Sequence, residues 1–175
     1  MKEIYLAGGC FWGTEHYFRQ IRGVENTEVG YANGNPSTVH NPDCPTYKEV
    51  CTDQTGFAET VHVTYDPSVL SLRFLAQLYF KAIDPTSLNR QGEDHGTQYR
   101  TGIYYTETID YEPLQQVFDE EQRKYSIPLA VELLPLSNFF TAEDYHQDYL
   151  LKNPTGYCHL PLALFLFAKE ANALK

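Results

Sequence analysis

The spacing of apolar positions along the chain predicts a mixture of strands and helices. Val61, Val63 and Tyr65 alternate with polar residues, which is typical of a half-buried strand. Leu72 and Leu75 begin a run with the spacing of an amphipathic helix. These two patterns predict strands over 2–7, 24–32, 47–52, 58–66, 101–106 and 130–136, and helices over 12–20, 71–83, 110–125 and 141–151.

The order of these elements predicts the fold class. A strand and a helix are followed by several strands and then by alternating helices and strands, so we expect an α+β protein. The prediction is a two-layer α/β sandwich with a mixed, partly antiparallel sheet and a ferredoxin-like core. We expect one catalytic domain over 1–175, in which residues 152–175 form an irregular C-terminal tail. Residues 84–100 form a long polar loop, and such loops are often functional.

Composition narrows the class of partner. The chain has 175 residues and a net charge of −10, which argues against binding to nucleic acid or to an anionic membrane surface. No segment approaches the ~20 apolar residues of a membrane helix, and the N-terminus lacks the apolar run of a signal peptide. We therefore expect a cytoplasmic monomer.

The four cysteines are too few and too scattered for a disulfide scaffold. The sequence has no Cys-x-x-Cys pair, so we expect no zinc site. Cys51 falls in a predicted strand and is interpreted as a packing residue. Cys44 lies in a proline-rich loop, and its role is left open.

Cys10 is the leading candidate for a nucleophile. It follows two glycines at the junction of a predicted strand and a predicted helix. At a helix N-terminus, unpaired N–H groups and the helix dipole stabilise a thiolate, which is the reactive form of cysteine. Phe11 and Trp12 follow it and can form an apolar wall for a small substrate group. The alternative is a buried, inert cysteine, which does not require such a motif.

A cysteine nucleophile needs a proton donor or base. Glu59 lies beside Phe57 and Ala58, and burial there would hold its carboxyl group protonated as a general acid. The alternative for Glu59 is a solvent-facing strand position. His16 is expected on the solvent side of the first helix.

The long loop adds further polar candidates. Asp94 and His95 have the chemistry of metal ligands, although hydrogen bonding is the commoner role for such a pair. Tyr99 and the more distant Tyr31 have hydroxyls that could donate into a pocket, or they are packing residues. Cys158 lies in a tail rich in proline and glycine, where it is either an incidental thiol or a resolving cysteine that turns a sulfenic acid into a disulfide.

Seven segments occur in the order found in one known family: GGCFWGTE (8–15), VGYA (29–32), YKEVC (47–51), TGFAE (55–59), YDP (65–67), DHGTQYR (94–100) and YHQDYL (145–150). In these segments the chain resembles the type A peptide methionine sulfoxide reductases, over most of its length. The resemblance implies reduction of methionine S-sulfoxide, free or in proteins, with a thioredoxin-type reductant and no metal or organic cofactor.

The resemblance also implies roles for individual residues. Cys10 matches the attacking thiolate, and Glu59 matches the acid that protonates the sulfoxide oxygen. The remaining matches are Phe11 and Trp12 as walls for the S-methyl group, Tyr31 and Tyr99 as hydroxyls near the oxygen, Asp94 as a polar pocket residue, and Cys158 as the resolving cysteine. The chain departs from the family pattern at Phe57, where histidine is usual, and it has no second tail cysteine.

Other functions remain open at this point. A cysteine hydrolase would pair Cys10 with a histidine such as His95 and would form an acyl-enzyme. A thiol peroxidase would turn over hydrogen peroxide without a need for Glu59. A redox-sensing binding module would not require Cys158 under any reductant.

Overall fold

The computed structural model describes residues 1–171. Its strands are β1 (Lys2–Gly8), β2 (Val24–Ala32), β3 (Ala58–Tyr65), β4 (Arg90–Gln91), β5 (Asp94–His95), β6 (Thr101–Tyr105), β7 (Glu132–Pro135) and β8 (Phe139–Thr141). Its α-helices are α1 (Phe11–Arg19), α2 (Tyr47–Val50), α3 (Leu72–Ala82), α4 (Tyr111–Gln122), α5 (Tyr149–Lys152) and α6 (Leu162–Glu170). None of these helices combines the length and apolar character that a bilayer crossing requires.

A six-stranded sheet organises the molecule, in the order β7-β6-β1-β3-β2-β8. Strand β1 runs antiparallel to β3 and β6, and β2 runs antiparallel to β3 and β8. The edge strand β7 is parallel to β6. The predicted mixed, partly antiparallel sheet is therefore confirmed. Strands β4 and β5 form a separate small ladder within the long polar loop.

Successive side chains of a strand point to opposite faces of the sheet, and the buried residues accordingly form two clusters. Ile4 and Leu6 of β1 belong to the larger cluster, which also contains the apolar residues of α1 and α3. Tyr5 and Ala7 point to the opposite face and join a smaller cluster. Tyr79 of α3 ties the layers together, because its hydroxyl donates to the Ala7 carbonyl at 2.8 Å.

The strand predicted over 47–52 is wrong, because this segment forms helix α2. Thr46 caps that helix: its hydroxyl accepts from the Glu49 N–H, and the Glu49 carboxylate accepts from the Thr46 N–H. This reciprocal pair satisfies two amide groups that would otherwise be unpaired, which favours a helical turn locally. Cys51 ends the helix and is exposed, so its interpretation as a packing residue is also wrong.

The last predicted helix, over 141–151, is largely absent. Thr141 ends strand β8, where its hydroxyl donates to Glu28 rather than capping a helix. The following residues form a single 3-10 turn, and α5 begins only at Tyr149. Asp148 has a left-handed backbone, φ +55°, which interrupts a continuous helix here.

The tail is more ordered than predicted. Residues 162–170 form helix α6, which packs against α1 and α3. The rings of Phe165 and His16 pack edge-on with their centroids 4.7 Å apart. The prediction that His16 faces solvent is therefore wrong. The tail predicted over 152–175 is irregular only up to the start of α6, and its last residues, 172–175, lie outside the described residues.

Candidate active site

Cys10 lies at the junction between β1 and α1, as predicted. The chain turns at Gly9, whose φ of +86° is accessible to glycine but strained for other residues. A side chain at Gly9 would also collide with Gln91, 2.6 Å from the position of a Cβ. Cys10 is the N-cap residue of α1 and is only 6% exposed. The turn therefore presents a thiol at the helix N-terminus while enclosing it in protein.

The helix N-terminus does not by itself make Cys10 a thiolate. The backbone N–H groups of Trp12 and Gly13 lower its pKa, as expected. Burial raises the pKa by more than these groups lower it, and the negative charge of Glu59 raises it further. The pKa of Cys10 is therefore well above the usual range for a cysteine. The resting residue is a thiol with donors already aimed at the anion that it would form.

Glu59 lies on β3 next to this thiol and is 1% exposed. Its Oε2 atom accepts a hydrogen bond of 3.0 Å from the Phe11 N–H, the first amide of α1. Burial raises the pKa of Glu59 to about 8, and the charge of Asp94 adds to the effect. Near neutral pH the group is a carboxylic acid that carries a proton beside Cys10.

Aromatic side chains surround the mouth of the site. Trp12 stacks on Tyr149 with ring centroids 3.7 Å apart, and its Nε1–H donates to His146 Nδ1 at 3.0 Å. The buried His146 ring also contacts Phe11, at 5.0 Å. Phe11 is nearly fully buried, whereas Trp12 is only partly buried. The arrangement holds the indole at a fixed angle beside Cys10.

Two tyrosine hydroxyls interact with each other next to Glu59. Burial and the charge of Glu59 raise the pKa values of Tyr47 and Tyr99, and each of the two side chains also shifts the pKa of the other. Cys10 also contributes to the pKa shift of Tyr99. Tyr99 is one of the predicted residues, and Tyr47 is not.

Tyr31 lies in a different environment from Tyr99. It is fully buried under Phe11, with ring centroids 5.9 Å apart. Its hydroxyl donates to Glu143 Oε2 at 2.6 Å, and a hydroxyl has only one proton to donate. The structure therefore commits the Tyr31 proton to Glu143.

Asp94 and Cys158 approach the site from two other segments. Asp94 accepts a hydrogen bond of 3.0 Å from the Tyr157 hydroxyl, which joins the polar loop to the tail. Cys158 is partly buried, and its sulfur would lie 3.0 Å from a Cβ placed on Gly13, on the first turn of α1. The absence of a side chain at Gly13 lets the tail thiol approach the helix end that carries Cys10. Both cysteines are free thiols.

Among residues 1–171, one group has the geometry of a metal-binding cluster. The cluster has three ligand atoms within 4.8 Å of one another, one each from Cys10, Asp94 and His159. His95, considered as a metal ligand or catalytic base from the sequence, is exposed and is not part of this cluster.

Comparison with known proteins places this chain in a family. The sequence model described as "Peptide methionine sulfoxide reductase" matches residues 2–173. The chain belongs to the peptide methionine sulfoxide reductase family. It is 55% identical over 164 residues to the peptide methionine sulfoxide reductase MsrA of Clostridium acetobutylicum, covering 94% of this chain and 98% of that one.

Solved structures agree with this membership: methionine sulfoxide reductase A of Corynebacterium diphtheriae matches with a TM-score of 0.82 at 37% identity, covering 90% of this chain and 77% of that chain. Reduced Mxr1 from Saccharomyces cerevisiae superposes with a TM-score of 0.87 at 44% identity, covering 92% of this chain and 91% of that chain. Mxr1 in complex with Trx2 matches with a TM-score of 0.59 at 31% identity, covering 85% of this chain and 84% of that chain.

The sequence analysis missed the roles of three residues in this reductase-family site. Tyr47, His146 and Tyr149 all lie in segments that carry the family resemblance, 47–51 and 145–150, but no role was assigned to them. The family resemblance of these segments marks them as candidates for a functional site. It does not show that each ring contacts Trp12 or Tyr99, because those contacts form only in the folded chain.

Proposed function

We propose that this chain reduces methionine S-sulfoxide, free or in oxidised proteins, to methionine, with a thioredoxin-type dithiol as the final reductant. The observation that carries the proposal is the buried Glu59 beside Cys10 at the N-terminus of α1, where burial raises the pKa of its carboxyl group to about 8. A sulfoxide oxygen leaves sulfur only when it is protonated, so an acid beside a sulfur nucleophile is the pair that this reaction needs. Family membership supports the same reaction.

In the reductase step, the Cys10 sulfur attacks the sulfoxide sulfur while Glu59 protonates the sulfoxide oxygen. The thiol proton of Cys10 replaces the proton that Glu59 gives up. The bond between the two sulfurs then breaks as the protonated oxygen passes to the Cys10 sulfur, and its electron pair stays with the substrate sulfur. The products are methionine and a sulfenic acid on Cys10. The N–H groups of Trp12 and Gly13 stabilise the negative charge that develops on the attacking sulfur.

We assign substrate positioning to the residues around this pair. Phe11 and Trp12 form the apolar wall for the S-methyl group, and Asp94 is a polar residue of the pocket. Tyr99 donates a hydrogen bond toward the sulfoxide oxygen. Tyr47 interacts with Tyr99, which supports a role for the Tyr47 hydroxyl in orienting that of Tyr99. Tyr31 is assigned as a second hydroxyl near the sulfoxide oxygen, as expected from the sequence. Its hydroxyl donates to Glu143 in the structure, and a bond to substrate would replace that one.

Cys158 resets the enzyme in this proposal. Its thiol attacks the sulfenic acid sulfur of Cys10, which forms a disulfide and releases water. An external dithiol then reduces the disulfide and is itself oxidised. The position of the Cys158 sulfur against Gly13 supports this step, and the complex of the relative Mxr1 with Trx2 supports a thioredoxin as the dithiol.

The finer predictions about the fold and the location of the chain belong to the same proposal. The strand order β6-β1-β3-β2, with α1 after β1 and α3 after β3, supports a ferredoxin-like core within a two-layer sandwich. One catalytic domain over 1–175, with a tail from residue 152 that carries Cys158, accords with the packing of α6 on α1 and α3. Free thiols at all four cysteines support a cytoplasmic location, and we propose a monomer.

The decisive experiment measures methionine formed from the two sulfoxide epimers with dithiothreitol as reductant. We expect the wild type to consume only the S epimer and Cys10→Ser to be inactive, while Cys44→Ser, at an exposed cysteine, keeps full activity. Full activity in Cys10→Ser, or turnover of hydrogen peroxide in place of the sulfoxide, would contradict the proposal.

A second experiment separates the resetting step from the reduction. We expect Cys158→Ser to form about one methionine per enzyme in a single turnover, because each Cys10 thiol can accept one oxygen atom before it must be reduced. The variant should lose thioredoxin-supported turnover. Normal turnover with thioredoxin would exclude Cys158 as the essential resolving cysteine.

A further inference from the structure

His159 is a partly buried side chain that the proposed reaction does not use. Its Nε2 atom lies 3.2 Å from the Gly8 carbonyl oxygen, which can only accept a hydrogen bond. The ring proton is therefore on Nε2, and Nδ1 carries a lone pair. Nδ1 is buried and has no hydrogen-bond partner among the described residues.

Two further ligand atoms converge on this imidazole. The sulfur of Cys10, a carboxylate oxygen of Asp94 and a ring nitrogen of His159 lie within 4.8 Å of one another. Zinc binds sulfur at about 2.3 Å and nitrogen or oxygen at about 2.0–2.2 Å, so one ion fits between atoms at this spacing after small side-chain shifts. The three ligands come from different segments of the chain and meet only when it folds.

The chemistry of the three ligands suits one class of ion. A thiolate, a carboxylate and a neutral imidazole carry a total charge of −2, which balances a divalent cation. Thiolate and imidazole together favour Zn²⁺ over Mg²⁺ or Ca²⁺, which prefer oxygen ligands. His159 is hydrogen-bonded to the Gly8 carbonyl, and Asp94 accepts a hydrogen bond from the Tyr157 hydroxyl. Hydrogen bonds of this kind orient the ligands of metal sites.

We propose that the reduced chain binds one Zn²⁺ at Cys10, Asp94 and His159, with water in the fourth position, and that this ion reversibly blocks Cys10. On binding, the Cys10 S–H bond is replaced by an S–Zn bond and one proton is released to solvent. The sulfur electron pair is then unavailable for attack. Oxidation of Cys10 to a sulfenic acid or a disulfide abolishes the site, so zinc binds only the reduced form.

The test measures Zn²⁺ binding to the full-length reduced chain by competition with a chromogenic chelator. Cys44→Ser and Cys51→Ser are introduced throughout to remove the two exposed thiols. We expect one equivalent of Zn²⁺ per chain, and an apparent affinity at least about tenfold weaker in His159→Ala, since one of three ligands is lost. The matched control is His95→Ala, at an exposed histidine next to Asp94, which should bind as tightly as its parent.

Co²⁺ serves as a spectroscopic probe of the ligands. We expect a near-ultraviolet sulfur-to-cobalt band in the parent and its loss in Cys10→Ser. A band that disappears in Cys158→Ser and persists in Cys10→Ser would overturn the proposal, as would equal zinc affinity in His159→Ala and its parent. His159→Asn is measured beside His159→Ala, and the thermal unfolding midpoint of each shows whether a loss of binding reflects a loss of fold.

Inhibition is measured separately from binding. We expect Zn²⁺ to stop sulfoxide reduction by the parent and a chelator to restore it. His159→Ala should need several-fold more Zn²⁺ for the same inhibition, whereas His95→Ala should be inhibited at the same concentrations as its parent. Undiminished reduction in the presence of saturating Zn²⁺ would overturn the blocking role. The binding experiments need no turnover, so a failure of the proposed function is seen independently of the metal site.

Discussion

Two buried carboxyl groups differ in their partners: Glu59 on β3, at the N-terminus of α1, and Glu15 within α1. Both are almost inaccessible, at 1% and 2% exposure. Burial raises the pKa of Glu59 to about 8 and that of Glu15 to about 7. Glu59 accepts one protein hydrogen bond, from the Phe11 N–H. Glu15 accepts two, from the Thr27 hydroxyl and the Asp148 N–H.

The difference shows that burial alone does not make a carboxyl group catalytic. Glu15 joins α1 to β2 and to the residue before α5, which carries the Tyr149 ring stacked on Trp12. Its oxygens are occupied by the protein. Glu59 faces the thiol of Cys10 with most of its hydrogen-bonding capacity unused, so its proton is available to a substrate.

The largest expected effect is on the rate of the Glu59→Gln variant. Glutamine keeps the shape of the side chain but has no proton to transfer, so we expect the single-turnover rate of methionine formation to fall by about 10²–10⁴-fold, the usual contribution of a general acid. Glu15→Gln is the matched control and should change the rate by less than about tenfold. Rapid mixing with quenched product analysis measures both rates.

Equal losses in the two variants would remove the distinction between a reactive and a structural carboxyl group. An unchanged single-turnover rate in Glu59→Gln would reject the acid role outright, whatever the behaviour of Glu15→Gln.

The second expected effect is on stability as pH rises. The pKa of Glu59 is raised from 4.5 to about 8 in the folded chain, so the native state holds a proton that the unfolded state has lost between these values. Its contribution to stability is therefore present below pH 4.5 and is lost as pH rises toward 8, by up to about 1.4 kcal/mol per pH unit. Urea unfolding at several pH values measures the slope.

Glu59→Gln should flatten this slope, because glutamine does not ionise. Glu15→Gln should flatten it over a narrower range, which ends near pH 7, since the pKa of Glu15 is raised only to about 7. A wild-type stability that changes between acidic and neutral pH by the same amount as that of Glu59→Gln would contradict a raised pKa at Glu59.

The contrast between the two glutamates also shows how far the sequence alone could reach. Glu59 was identified because it follows two apolar residues and matches a family segment. Glu15 also lies in a family segment, but its role depends on Thr27 and Asp148, which are 12 and 133 positions away. Contacts of this kind are set by packing, and no local pattern encodes them.

The same limit explains the structural errors. The mixed sheet was predicted because alternation is a local property of each strand. Helix α6 was missed because its apolar run begins after Pro161 in a segment interpreted as an irregular tail, and its burial against α1 and α3 is not visible in the run itself. Tyr31 and Tyr47 both lie in family segments, but the Tyr31 hydroxyl donates to Glu143 whereas Tyr47 interacts with Tyr99, and neither contact is visible in the sequence.

The third prediction concerns Glu15→Ala, which leaves the Thr27 hydroxyl and the Asp148 N–H without their acceptor. We expect a loss of about 1–3 kcal/mol in the free energy of unfolding, the usual cost of unsatisfied buried donors. Glu120→Ala is the control: Glu120 is an exposed glutamate paired with Arg73, and its loss should cost at most about 1 kcal/mol. Urea unfolding measures both losses in free energy. Equal losses would show that the buried hydrogen bonds of Glu15 stabilise the fold no more than an exposed ion pair does.

The smallest expected effect comes from Thr27→Val, which removes one of the two donors to Glu15 and nearly preserves the side-chain volume. The Thr27 hydroxyl lowers the pKa of Glu15, so its removal should raise that pKa further and should leave the pKa of Glu59 unchanged. We expect a stability loss of about 1 kcal/mol, the net worth of one hydrogen bond. Thr141→Val, which removes an exposed bond to Glu28, is the control and should cost less. Carbon-13 NMR titration of the glutamate carboxyl groups measures both pKa values. A shift at Glu59 as large as that at Glu15 would show that the two carboxyl groups are electrostatically coupled rather than independent.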